Sequence, residues 1–95
     1  MSTLITAELT AAGQTVTATR RFDGYFNVSI WGTFSGSIAV QRSFDGSTWL
    51  TVDEFDAIGE DYGFEPEEAL YRVRCTAMTS GLARVRIGTE DREFH

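Results

Sequence analysis

Lysine is missing from this chain altogether, and cysteine, histidine and proline occur once each, as Cys75, His95 and Pro66. One cysteine excludes an intrachain disulfide and any cysteine metal cluster. Cys75 stands in an alternating apolar run, where it reads as a small core residue and not as a nucleophile. With the one histidine at position 95, no Ser/His or Cys/His pair can be placed together. No Gly-rich loop leads from a strand into a helix, so the phosphate-cradling motifs are missing too. No apolar run approaches the roughly 20 residues of a membrane span, and the N-terminus lacks the basic-plus-apolar pattern of a secretory signal. The expectation is a non-enzymatic protein made in the cytoplasm, without cofactor, metal or membrane contact. A sustained helical period near 3.6 is absent as well.

What is present is a globular composition: 95 residues, 42% hydrophobic and 13% aromatic. A chain of this length buries roughly 65% of its unfolded surface, enough for one modest core. One domain, 1–95, is expected, with 1–3 and 89–95 as flexible ends. The net charge of −6 argues against a nucleic-acid binder that works by neutralising phosphates. All eight basic residues are arginine, the cation suited to planar pairing with carboxylates and common at protein interfaces.

Alternation dominates the chain. Leu4 to Thr10 places Ile5, Ala7 and Leu9 on one face, and Gln14 to Arg21 sets Val16 and Ala18 against threonines. Tyr25 to Trp31 is the clearest strand, with Phe26, Val28 and Ile30 opposed to Tyr25, Asn27, Ser29 and Trp31. Gly32 to Gly36 reads as a turn into Ser37 to Ser43, and Thr48 to Phe55 follows. Ala69 to Ala77 and Leu82 to Gly88 alternate in the same way, and Thr79-Ser80-Gly81 turns the chain back between them. Seven to eight strands with Gly-containing turns predict an all-β fold, a single antiparallel β-sandwich.

The segment Ser43-Phe44-Asp45-Gly46-Ser47-Thr48-Trp49 reads as a self-closing hairpin turn. Gly46 tolerates positive φ, Asp45 can accept from nearby backbone N–H groups, Ser43 and Thr48 flank it, and Trp49 covers its base. It resembles the Asp-box of sialidases and other β-propellers, one residue shorter and in one copy. That motif is structural, so the likeness implies no catalysis.

Charge is segregated. Asp53 to Glu68 holds eight of the fourteen carboxylates and reads as an acidic loop anchored by Tyr62 and Phe64, with Pro66 ending a short edge strand. Its spacing matches no Ca²⁺ loop. The last two strands are expected to form a hairpin whose outer face carries Arg72, Arg74, Arg84 and Arg86, where like charges repel unless partnered. The interface expected from this is Arg72, Arg74, Arg84 and Arg86 against Asp56, Glu60, Asp61 and Tyr62, of the same chain, another copy or a shell. Trp31, Trp49, Tyr25 and Tyr62 could alternatively line a sugar platform.

Three stretches together, Val28 to Gly36, Val40 to Trp49 and Tyr71 to Gly81, carry a G-T-F-S-G element, a V-Q-R-S-F-D-G turn and a Y-R-V-R-C-T strand. In this order they are similar to small virion proteins of tailed bacteriophages. The resemblance spans about residues 26 to 88 and implies a non-enzymatic structural protein of the particle, a capsid decoration (cement) protein. It implies the major capsid protein or another virion protein as partner, a homo-oligomer such as a trimer, and residence in the virion after synthesis in the bacterial cytoplasm. A tail or baseplate component is the alternative within that class, and a carbohydrate-binding module is the alternative outside it.

Overall fold

A computed structural model describes residues 2–89. Five strands follow in chain order: β1 (Ser2–Leu9), β2 (Thr15–Thr17), β3 (Phe22–Ser43), β4 (Leu50–Phe55) and β5 (Gly59–Thr89). The fold is all-β, and the strands join in one antiparallel sheet. No helix occurs among the described residues.

Two strands are far longer than the sequence pattern suggests. Extended at about 3.3 Å per residue, β5 would reach roughly 100 Å, yet the longest dimension of the molecule is 43 Å. Both β3 and β5 must therefore bend, and their pairing shows where. Residues 24–30 of β3 pair with 59–65 of β5 on one side, while 26–35 pair with 80–89 on the other. Val28 thus lies between Asp61 and Ile87. Beyond Gly36, β3 pairs with 70–78 of β5 and, on its far side, with β4. β1 completes the first set of ladders beside 83–89, and β2 completes the second beside 72–74.

The bend corrects two expected turns. Thr33, Phe34 and Ser35 pair with Leu82, Gly81 and Ser80, so both glycine-containing stretches lie within continuous strands. Gly81 has φ +90°, and a Cβ there would run into the Thr33 carbonyl. Glycine at this crossing serves close backbone approach and a bend, not a chain reversal. Consequently the last two strands form no hairpin: 70–78 and 81–89 are consecutive parts of β5, each against β3. The acidic 53–68 segment is likewise not a loop. Only residues 56–58 turn, and Gly59 onward is strand. Within the ends expected to be flexible, Thr3 pairs with Gly88 and Thr89 with Phe26. Residues 90–95, His95 among them, lie outside the described residues.

The core follows the predicted alternation. Val40, Val73, Cys75, Ala83, Val85 and Ile87 are fully buried, joined by Ile5, Ala7, Leu9, Val28, Ile30 and Ile38. Each large aliphatic side chain contributes about 1.5–3 kcal/mol on burial, so one apolar face per strand suffices to drive closure. Burial pushes the Cys75 thiol up, away from thiolate reactivity. At one end Phe22, Phe26 and Tyr71 pack ring to ring at 4.9–5.6 Å.

Candidate functional site

The face of the first ladder set turned away from the core carries the unusual surface. Its rows follow from the register: Thr6, Arg86, Ser29 and Glu60 lie across four strand segments, two of them from β5, and Glu8, Arg84 and Trp31 form the next row. Thr3, Gly88, Asn27 and Tyr62 form another, followed by Tyr25 and Phe64. The Tyr25 and Phe64 rings touch at 4.9 Å, and both are exposed. Tyr62 is 81% exposed, and Ile58 and Trp31 are exposed as well. Five large apolar side chains therefore stand in water on one side of the sheet, more than scattered surface hydrophobics account for. Ser29, Trp31, Ile58 and Glu60 also line an open recess of about 560 Å³.

The parity that exposes Tyr62 and Phe64 turns Gly63 and Glu65 toward the core. Gly63 lies under the Phe26 ring, which a Cβ would overlap. Glu65 is 1% exposed. Its Oε1 accepts from the Tyr71 hydroxyl at 2.8 Å and from Arg42 Nη1 at 2.9 Å, while its Oε2 is buried without a partner. The bond to Glu65 raises Arg42, and burial followed by the Glu65 bond raises Tyr71 above the usual phenol range. Counted among the loop carboxylates, Glu65 was missed as a core residue. Alternation from Tyr62 puts 63 and 65 together on the face opposite 62 and 64, and the pairing of 59–65 with residues 24–30 turns that face inward.

The four arginines divide between the two ladder sets. Arg72 donates to Gln41 Oε1 at 2.7 Å and its guanidinium lies 4.2 Å from the Trp49 ring centroid. Burial, then neighbouring Arg74, lowers its pKa. Arg74 donates to the Thr15 hydroxyl. In the other set Arg84 pairs with Glu8, and Arg86 donates to Asn27 and Thr3 across the space over Gly88. The expected four-Arg face is thus two separate pairs with partners in their own chain, because the strand bends where a hairpin was expected.

The acidic residues also part company. Asp56 is exposed in the β4–β5 turn, and Glu60 and Tyr62 point outward. Asp61 has the inward parity and shares a hydrogen bond with Asp53. Burial and then Asp61 hold Asp53 above the usual carboxyl range, whereas the bonds from Asp53 and the Tyr62 amide lower Asp61. Among the described residues, no group of three or more His, Cys, Asp or Glu is placed to hold a metal ion.

The 43–49 turn has the geometry expected of it. Asp45 Oδ1 accepts from the Ser43 hydroxyl at 3.0 Å and from the Ser47 and Thr48 amides at 2.9 and 2.7 Å. The Gly46 amide donates to Ser43 Oγ at 2.8 Å, and Gly46 has φ +84°. These bonds, the Thr48 amide first, hold the Asp45 carboxyl far below its usual range. Trp49 sits beneath Arg72, tying the turn to β5.

The overall likeness of this sheet to a solved protein is global. It superposes on the crystal structure of the Yersinia pseudotuberculosis-derived mitogen (YPM) with a TM-score of 0.63, covering 98% of this chain and 91% of that one. Identity is 9%, so the likeness is one of fold alone. No family model and no curated protein sequence matches the chain.

Proposed function

We propose that this chain is a capsid decoration protein of a bacteriophage: a non-enzymatic component that binds the outer surface of the head and bridges neighbouring capsid subunits. The observation that carries this reading is the exposed group of Tyr25, Phe64, Tyr62, Ile58 and Trp31 on one side of the sheet. Aromatic side chains on a rigid surface are characteristic anchors of protein interfaces. Arg84, Arg86 and Glu60 supply a polar rim. The motif order of the three stretches resembling phage virion proteins supplies the particle, and the major capsid protein is the intended partner. Binding free energy across subunit seams stabilises a shell without any chemistry.

The finer architecture belongs to the same proposal. The two ladder sets, joined by the bends of β3 and β5, are the two layers of a β-sandwich, and β3 counts twice and β5 three times toward seven or eight. Methyl nuclear Overhauser contacts between Val28 or Ile30 and Val40 or Val73 test it. Their absence would leave a single coiled sheet.

Cryo-electron microscopy of the native particle tests the function. Density for this chain over capsid seams is the expected result. Density in the tail would replace decoration with a tail or baseplate role, and absence from the particle would remove both. The recess beside Trp31 favours one second reading, a sugar-binding module. Isothermal titration with a panel of oligosaccharides decides it, with Trp31→Ala as the loss-of-binding control.

A further inference from the structure

The segment 59–65 is paired with β3 along one side only, and among the described residues no strand lies along its other side. Its ladder is unbroken from Gly24–Glu65 to Ile30–Gly59, so it has no bulge to twist it away. Open edges of this kind template pairing with another chain unless charge or irregularity blunts them. Here the charge has one sign. No Lys or Arg occurs between Asp53 and Ala69, while Glu60 and Asp61 lie on the edge and Glu67 and Glu68 just past it. None of these four makes an ion pair among the described residues. Edge-to-edge pairing of two copies would bring two edges of the same sign together, which disfavours the homotypic strand pair. A strand with cations at alternate positions meets the opposite situation: Glu60 to pair with, and the exposed faces of Tyr62 and Phe64 for cation–π contact.

We propose that the 59–65 edge receives, by strand addition, an extended segment of a different protein carrying Arg or Lys at alternate positions. Main-chain hydrogen bonds to the edge hold the segment, and its cations lie over Tyr62 and Phe64 and beside Glu60. This names the contact within the assembly role proposed above, and rests on that role for its biological partner.

The test uses the full chain, ¹⁵N-labelled, and three blocked decapeptides. One alternates Thr and Arg, one replaces Arg by Glu, and one keeps Arg but replaces each Thr by Pro, which cannot donate to a ladder. The Thr/Arg peptide should bind saturably, with shifts and new amide-exchange protection confined to 59–65. The Pro peptide should bind at least about tenfold more weakly, and the Glu peptide should not bind. Tyr62→Lys, at an exposed side chain, should weaken Thr/Arg binding by at least about tenfold with the fold intact. Equal binding of the Pro peptide, shifts centred elsewhere, or no saturable binding at millimolar peptide would overturn the proposal. Particle binding separates it from the assembly role. Tyr62→Lys that decorates heads at wild-type occupancy overturns the edge contact alone. A wild-type chain that takes the peptide but binds no particle supports the edge and overturns decoration.

Discussion

Tyr71 donates its hydroxyl to Glu65 Oε1 at 2.8 Å from within the Phe22–Phe26 ring cluster, six residues along the same strand. The bond places a carboxylate in the core with Arg42 as its cation. Removing one partner from a buried pair costs more than the pair itself contributes, because the remaining charge stays desolvated. Arg42→Met should therefore destabilise by about 3 kcal/mol, the low end of the range for such deletions, since Arg42 is partly exposed. The triple variant Arg42→Met/Glu65→Leu/Tyr71→Phe should recover most of that loss. Urea melts check both, and a triple variant no more stable than the single would show that the pair contributes net stability.

Tyr71 also gives a pH signature. Its folded pKa is raised above the unfolded value near 10, so its contribution is complete below pH 10 and is lost as pH rises through the folded pKa. Tyr71→Phe should cost about 1–3 kcal/mol at neutral pH, as expected for a hydrogen bond to a charged group. It should also flatten the decline in stability above pH 10. Thermal melts from pH 8 to 11.5 measure both effects.

The 43–49 turn gives the acid counterpart. Asp45 is depressed in the fold, so its contribution is present above the unfolded carboxyl range near 4 and is lost as pH falls through the folded pKa. Asp45→Ala should lower Tm at neutral pH and make the acid limb shallower. Gly46→Val should cost about 1–3 kcal/mol from positive φ alone, because nothing lies within 4 Å of the added Cβ. Wild-type melting of both variants would remove the turn from any role in setting register.

Gly63 tests parity by packing, without φ strain. A Cβ there overlaps the Phe26 ring, so Gly63→Ala should cost about 1–3 kcal/mol by overpacking. Combining it with Phe26→Leu should cost less than the two single changes added together, because the smaller side chain vacates the contact. Strict additivity in denaturant melts would argue that residue 63 does not face the core.

The two arginine pairs should behave differently. Arg84 and Glu8 are both about half exposed, so Arg84→Ala should change stability by no more than about 1 kcal/mol. Arg72 is half-buried over Trp49 and bonded to Gln41. Arg72→Ala should cost about 1–2 kcal/mol, beyond a cation–π contact at an open site, and should shift Trp49 fluorescence. Equal, small effects at both sites would mean that the stack over Trp49 contributes nothing.

Period-two alternation made much of the protein legible in its sequence. The buried faces of β1, β3 and β5 and the core place of Cys75 were readable because each side chain's direction follows from its neighbour's. The 43–49 turn was readable for a related reason: Ser43, Asp45 and Gly46 bond within a few residues of one another. What the sequence could not supply was strand continuity and partnership. Gly32, Gly36 and Gly81 signal departure from a regular strand, but the same residue serves a reversal, a bulge or a bend. Only the pairing of Phe34 with Gly81 decided for the bend. That choice separated Arg72 and Arg74 from Arg84 and Arg86, while the pairing of 59–65 with residues 24–30 put Glu65 inside and left Tyr62 and Phe64 in water. Local sequence fixes which way a side chain points relative to its neighbours, whereas which face meets the core is set by non-local strand pairing.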